Sequence, residues 1–81
     1  MTLSGDFMYV SHVDRVFNNG DGTQKTVTML NVKDDQERIQ TFYVYFPFPD
    51  HVMGDMIKLY FSVYKKDNAY RVSCVSYADT V

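Results

Sequence analysis

Turn-forming residues recur at short, fairly even intervals along this chain, a spacing that is typical of many short strands. The clearest turn is the NNGDG stretch at residues 18–22, because Asn and Gly tolerate the positive φ angles that a tight hairpin demands. No segment between the turns keeps apolar residues at the three- and four-residue spacing of an amphipathic helix. The spacing therefore predicts an all-β fold.

Five runs between the turns are rich in β-branched and aromatic residues, which favour strands. The predicted strands cover residues 7–17, 23–33, 39–46, 56–65 and 69–77. Pro47 and Pro49 end the third strand, since proline cannot donate a hydrogen bond to its neighbour. A connector with room for one helical turn follows through residue 53, and residues 78–81 are predicted to form a tail.

The predicted order is a three-strand meander, a connector and a closing hairpin. This order fits a small five-stranded OB-like barrel, which hides its edges by closing the sheet, and an SH3-like barrel is the nearest alternative. The 81 residues form a single domain, residues 1–81. A chain this short buries only about 60% of its unfolded surface, which leaves little room for a catalytic cleft.

The motifs of enzymes and metal sites are missing from the sequence. There is no glycine loop for phosphate, no paired-cysteine spacing and no His-Glu helix motif. His12 and His51 are isolated in the sequence, and we expect His12 to be a hydrogen-bonded boundary residue rather than a metal ligand. The sequence thus predicts a protein that is not an enzyme, with no cofactor, no catalytic residue and no metal ligand.

Aromatic residues are unusually frequent, with seven Tyr and six Phe in 81 residues. Because side chains alternate between the two faces of a strand, parity separates a core face from an outer face. The residues predicted for the core are Phe42, Val44, Phe46, Ile57, Leu59, Phe61, Val63, Val72 and Cys74. Several tyrosines and cations are left for the outer face of the last three strands.

These outer residues are the candidate nucleic-acid-binding site. The set is Tyr43, Tyr45, Lys58, Tyr60, Tyr64, Lys65, Lys66, Arg71 and Tyr77. Rings interleaved with cations suit single-stranded nucleic acid, because bases stack on rings while Lys and Arg follow the phosphates. Two other interpretations stay open: cross-strand pairing of the tyrosines, and burial of the tyrosines in a homodimer interface.

Charge and cysteine content limit the partners and the compartment. The net charge is −2 at pH 7, so any cationic surface that binds phosphate must be confined to one part of the molecule. Cys74 is the only cysteine, which excludes an intrachain disulfide and is typical of a reducing compartment. The N-terminal sequence lacks the pattern of a signal peptide and no apolar run reaches membrane-spanning length, so we expect a cytoplasmic protein without a membrane partner.

The order of elements from Phe7 to Tyr77 resembles the small single-stranded DNA-binding proteins of bacteriophages, including the filamentous-phage type. The resemblance also covers the stretch from Tyr43 through Gly54 and Asp55 to the hairpin turn at residues 66–68. It implies an OB fold, a homodimer, and coating of single-stranded DNA during replication by stacking of exposed aromatic residues. The chain departs from that family in its net acidic charge, since such proteins usually carry more Arg and Lys.

A rival hypothesis from another class is a small protein-interaction module. A phage or plasmid accessory protein that blocks a host protein would also be small and acidic, because acidic surfaces can occupy nucleic-acid-binding sites on partners. Single-stranded nucleic acid is the partner that the aromatic surplus favours, the resemblance implies that it is DNA, and a host protein is the alternative.

Overall fold

The computed structural model describes residues 1–79, which fold into one five-stranded antiparallel sheet. The strands are β1 (Thr2–Asn18), β2 (Gln24–Lys33), β3 (Ile39–Val44), β4 (Met56–Lys66) and β5 (Ala69–Asp79). The prediction of an all-β fold with five strands is confirmed. The boundaries differ at β1, which begins at Thr2 instead of residue 7, and at β3, which ends at Val44 instead of residue 46.

The predicted C-terminal tail is wrong at residues 78 and 79, because β5 continues to Asp79. Asp79 and Ala78 pair with the first residues of β4, so the ladder reaches the end of the described chain. The rest of that predicted tail, residues 80 and 81, lies outside the described residues.

Two tight hairpins follow directly from the turn sequences. In the first, the backbone N–H of Asn19 donates to the carbonyl oxygen of Thr23 over 2.7 Å, and Gly22 has a φ of 89°. In the second, Asp67 and Asn68 both take positive φ angles, 53° and 63°, between the last residue of β4 and the first of β5. Asp and Asn tolerate this left-handed conformation, which matches the twist of the strands that a two-residue turn connects.

The strand order β3-β2-β1-β4-β5 depends on the length of β1. Residues 8–18 of β1 pair with β2, and residues 2–8 pair with β4. The register shifts between Tyr9 and Ser11, so Val10 is an extra residue close to the point where β1 changes partner. A bulge of this kind bends a strand and increases its twist.

The sheet curls so that its two end strands, β3 and β5, approach each other. No backbone ladder joins them anywhere in residues 1–79. The closed barrel that the sequence predicted is therefore not formed, and the described chain is an open, curled sheet. Closure could not be deduced from strand patterns because it depends on the curvature of the whole sheet.

The core lies on the concave face of this sheet. Its fully buried side chains are Leu30, Val32, Val44, Ile57 and Leu59. Phe7, Phe42 and Phe61 meet edge-on or tilted beside them, with ring centroids 5.1 to 6.1 Å apart. The prediction of a core face in the fourth strand is confirmed, since Ile57, Leu59 and Phe61 are all buried.

Two predictions for the fifth strand are wrong. Tyr77 was expected on the outer face, but it packs against the core. The register shifts at Val75, so that Ser76 and Cys74 face consecutive residues of β4 and side-chain parity reverses. Val72 was expected in the core, but it is 62% exposed, at the edge of a groove between β5 and β3.

The connector between β3 and β4 contains no helical turn, and it closes one end of the core with a single aromatic side chain. Phe48 is only 7% exposed and contacts the rings of Tyr9, His51 and Tyr77. The proline on each side holds the chain extended, which allows the ring to point inward. None of the described residues belongs to a helix that could cross a membrane.

Candidate functional site

The outer face of β1, β2 and β3 carries exposed aromatic rings beside two cations. The register puts Tyr43 opposite Met29, Val27 opposite Arg15, and Lys25 opposite Phe17. A shallow groove runs over these rows, lined by Arg15, Phe17, Val27, Met29, Tyr43 and Tyr45. We call Arg15, Phe17, Lys25, Tyr43 and Tyr45 the aromatic face.

The rings of this face are available to a ligand. Phe17 is 51% exposed, Tyr43 57% and Tyr45 62%, while Val27 forms a buried floor between them. About half or more of each ring is exposed to solvent, so these rings are not part of the buried core. Exposed apolar patches that are surrounded by polar residues mark sites where proteins bind partners or ligands.

The two cations of the aromatic face are free of carboxylates. Lys25 Nζ lies 4.5 Å from the centroid of the Tyr45 ring, in cation–π geometry. The two ion pairs found within residues 1–79 are His12 with Asp50 and His51 with Asp79, and neither Arg15 nor Lys25 belongs to one. Both are therefore able to bind an anionic group beside the rings.

The residues that the sequence assigned to the site fall into separate places. Tyr43 and Tyr45 belong to the aromatic face. The second group lies on the outer face of β4 and β5 and comprises Lys58, Tyr60, Tyr64, Lys66 and Arg71. Within it Tyr64 is opposite Arg71, whereas Tyr60 and Lys58 are half-buried. Lys65 points to the opposite face, opposite Tyr70, and Tyr77 packs on the core.

The two groups meet where β3 approaches β5. A second groove there is lined by Thr41, Phe42, Tyr43, Tyr45, Val72, Ser73 and Cys74. Tyr64 reaches it from β4, since its hydroxyl lies 3.5 Å from Ser73 Oγ. We call this groove the seam.

Four of the ten carboxylates lie together at the other end of the sheet. A groove around Met8 and Met56 is lined by Asp6, Lys33, Asp34, Asp35 and Glu37. Lys25 and Lys33 are eight residues apart on β2, which is roughly 27 Å at the rise of an extended strand. This acidic groove is therefore distant from Lys25, while Asp14 and Asp21 lie closer to the aromatic face, on β1 and in the adjoining loop.

The carboxylate of Asp34 organises this acidic end. Asp34 Oδ1 accepts hydrogen bonds from the backbone N–H groups of Arg38 and Gln36, each at 2.9 Å. The bond from Arg38 is the main cause that lowers the pKa of Asp34. This carboxylate serves to shape the turn between β2 and β3.

A chain of polar contacts lies below the connector. The Tyr9 hydroxyl is 2.7 Å from His12 Nδ1, and His12 Nε2 is 3.5 Å from Asp50 Oδ1. His12 is half-buried and hydrogen-bonded, as predicted. No group of three His, Cys, Asp or Glu side chains among residues 1–79 is arranged to hold a metal ion.

Sequence reasoning missed Arg15, Phe17 and Lys25. The loop that forms is residues 19–23, one residue further along than the predicted turn, and a five-residue loop fixes the register of the strands on both sides. This register puts Phe17 opposite Lys25 and Arg15 opposite Val27, whereas a loop at residues 18–22 would have put Phe17 opposite Thr23. The strand parity that identified Tyr43 and Tyr45 was not applied across the hairpin.

Comparison of the chain with protein-family models, with curated proteins and with solved structures gives no match in any of the three. The resemblance to phage single-stranded DNA-binding proteins therefore stays a prediction. The function has to be argued from the site itself.

Proposed function

We propose that this chain is a non-enzymatic single-stranded DNA-binding protein of phage or mobile-element type, which binds its ligand on the aromatic face. The observation that carries the proposal is the grouping of three exposed rings, Phe17, Tyr43 and Tyr45, with Arg15 around one groove, and with Lys25 over one face of the Tyr45 ring. Stacking of a base on a protein ring contributes about 1–3 kcal/mol per base and tolerates any sequence. Three rings suit a short run of unpaired bases.

The chemistry of the groove favours single strands over duplex. Base faces are available for stacking on Phe17, Tyr43 and Tyr45 only where they are not stacked on each other in a duplex. Arg15 and Lys25 lie beside the rings, so phosphates of the same strand can reach them while the bases stack. Two cations make a modest electrostatic contribution, which gives stacking the larger share of the affinity.

The topology supports an OB-like architecture as part of this proposal. In an OB fold a partly open five-stranded barrel binds oligonucleotides on the face of strands 2 and 3 and with the loops after strands 1 and 4. Here β1 pairs with both β2 and β4, β3 approaches β5, and the aromatic face lies on β1 to β3 beside the first of those loops. A homodimer and a cytoplasmic location complete the proposal.

A fluorescence titration with oligo-dT at low and high salt tests this function. The seven tyrosines provide the signal, because stacking of bases quenches their emission. We expect saturable binding to oligo-dT, weaker binding at high salt, and much weaker binding to a duplex of the same length. Absence of binding to oligo-dT at low salt would refute the proposal.

The acidic groove favours a second candidate function, binding of a basic segment of a host protein. Met8 and Met56 give this groove an adaptable apolar floor, and the carboxylates of Asp6, Asp35 and Glu37 surround it. A pull-down after nuclease treatment separates the two functions. A retained partner that is lost on Asp35→Lys would favour this alternative, while loss of all captured material with nuclease would favour DNA binding.

A further inference from the structure

We propose that the seam between β3 and β5 is a second base-binding subsite, which takes an unpaired nucleobase from the strand bound on the aromatic face. The inference rests on the proposed function. It extends that function because it states in which direction the bound DNA strand leaves the aromatic face. The first observation is that Tyr43 and Tyr45 line both grooves. Each therefore separates the groove over β2 from the seam.

The seam offers hydrogen-bonding groups that a fully paired sheet would not have. β3 and β5 are both edge strands, and no ladder joins them within residues 1–79. In an edge strand every second residue directs its N–H and C=O groups away from the neighbouring strand. The seam is therefore bordered on both sides by main-chain donors and acceptors.

Such groups match the edge of a nucleobase. An unpaired base presents donors and acceptors on its Watson–Crick edge, and proteins recognise single strands through these groups. Thr41 and Ser73 add hydroxyl oxygens on the β3 and β5 sides of the groove, where Thr41 donates its proton to Asn31 Oδ1 and keeps its oxygen as an acceptor. A paired base has no free edge to offer, so the seam selects single strands.

The seam is lined by uncharged residues. It contains the half-buried ring of Phe42 and the buried thiol of Cys74. Burial raises the pKa of Cys74 to about 11, so the thiol is neutral at physiological pH and does not repel a phosphodiester. No charged side chain in the seam therefore repels a bound nucleotide.

The far side of the seam leads to a cationic surface. Tyr64 contacts Ser73 through its hydroxyl, and Arg71 is the cross-strand neighbour of Tyr64. Arg71 and Lys66 take part in neither of the two ion pairs found in residues 1–79. A strand that passes through the seam thus meets a ring and two cations on the β4–β5 hairpin.

Val72 and Val75 provide a matched pair for the test. Both lie on β5 and both are largely exposed, at 62% and 49%, so a charged residue at either position leaves the core intact. Val72 lines the seam, whereas Val75 does not. Val72→Glu places a carboxylate in the subsite, and Val75→Glu makes the same change of net charge outside it.

The affinities of the wild type and both variants are measured by fluorescence for oligo-dT of two to eight nucleotides at one ionic strength. We expect Val72→Glu to weaken binding of the longer oligonucleotides by roughly tenfold relative to Val75→Glu. A loss of this size corresponds to the stacking energy of one base. The shortest oligonucleotides, held by the aromatic face alone, differ less than twofold between the variants.

Equal weakening by Val72→Glu and Val75→Glu would overturn the subsite and leave the proposed function standing. Absence of binding by the wild type would overturn both. A second measurement uses the wild type alone: amide NMR signals of residues 71–74 shift on addition of oligo-dT if a base enters the seam. Shifts confined to residues 15–29 and 43–45 would exclude it.

Discussion

His51 Nε2 lies 2.7 Å from Asp79 Oδ1, and this contact ties the connector to the last described residue of β5. The other ring nitrogen, Nδ1, lies 2.8 Å from the carbonyl oxygen of Pro49. A carbonyl and a carboxylate only accept hydrogen bonds, so both contacts are hydrogen bonds only when the imidazole is protonated and donates from both nitrogens. The contacts of His51 that tie the connector to β5 are therefore strongest when this histidine is charged.

This arrangement predicts a dependence of stability on pH. Burial alone lowers the pKa of His51. The hydrogen bonds to Asp79 and Pro49, together with the charges of Asp79 and Asp55, raise this pKa by more than burial lowers it, so the net shift is upward. A group whose pKa is higher in the folded state stabilises fully below its unfolded value of about 6.5 and loses that contribution as the pH rises through the folded value. We expect the melting temperature to fall between pH 6 and pH 8.

Thermal melts of the wild type and His51→Gln across that range check the assignment. The variant keeps a side chain that can hydrogen-bond but cannot titrate, so its melting temperature should change less with pH. His12, which is paired with Asp50, is unchanged in the variant and serves as the internal control. A fall of the same size in both proteins would assign the pH dependence to another group.

Phe48 is expected to be the most sensitive position in the connector. Its ring centroid lies 4.8 Å from that of Tyr77, 4.9 Å from that of His51 and 6.0 Å from that of Tyr9. Phe48→Ala removes these contacts and leaves a cavity, which costs about 3–5 kcal/mol of unfolding free energy at a buried site. Urea denaturation measures the loss, with the exposed Tyr70→Ala as control, and a loss below about 1 kcal/mol would contradict this packing.

The features that the sequence predicted are those specified by neighbouring residues. The turn at residues 18–22 and the alternation of Ile57, Leu59 and Phe61 are local patterns, and both are present in the structure. The burial of Phe48 was missed because a ring between two prolines carries no periodicity. Its partners Tyr9 and Tyr77 come from the two ends of the chain.

The errors in the site have a similar cause. Tyr77 was misplaced because a single extra residue, Val75, reverses the side-chain parity that the prediction assumed. Phe17 and Lys25 were missed because their importance arises from cross-strand pairing, which adds a second strand to the face of Tyr43 and Tyr45. Closure of the sheet depends on curvature around the whole molecule, which no local pattern encodes.

Lys25 is predicted to contribute an electrostatic share of binding. Replacing it with Gln removes one cation near the bound phosphates, so the affinity for oligo-dT should fall. The slope of log affinity against log salt should decrease in magnitude by about 0.7, the value for one phosphate contact on a single strand. Lys33→Gln, at the acidic end of the same strand, is the matched control, and equal effects of the two variants would contradict the location of the site.

The central claim is that the rings of the aromatic face hold single-stranded DNA by stacking, and the affinity of the double variant Tyr43→Ala/Tyr45→Ala for oligo-dT tests it most directly. Tyr70→Ala removes a more exposed ring, at 76% against 57% and 62%, outside that face and serves as the control. The account predicts that the double variant binds at least about 30-fold more weakly than the wild type, since two stacking contacts are lost. Binding by the double variant within twofold of the wild type would contradict it.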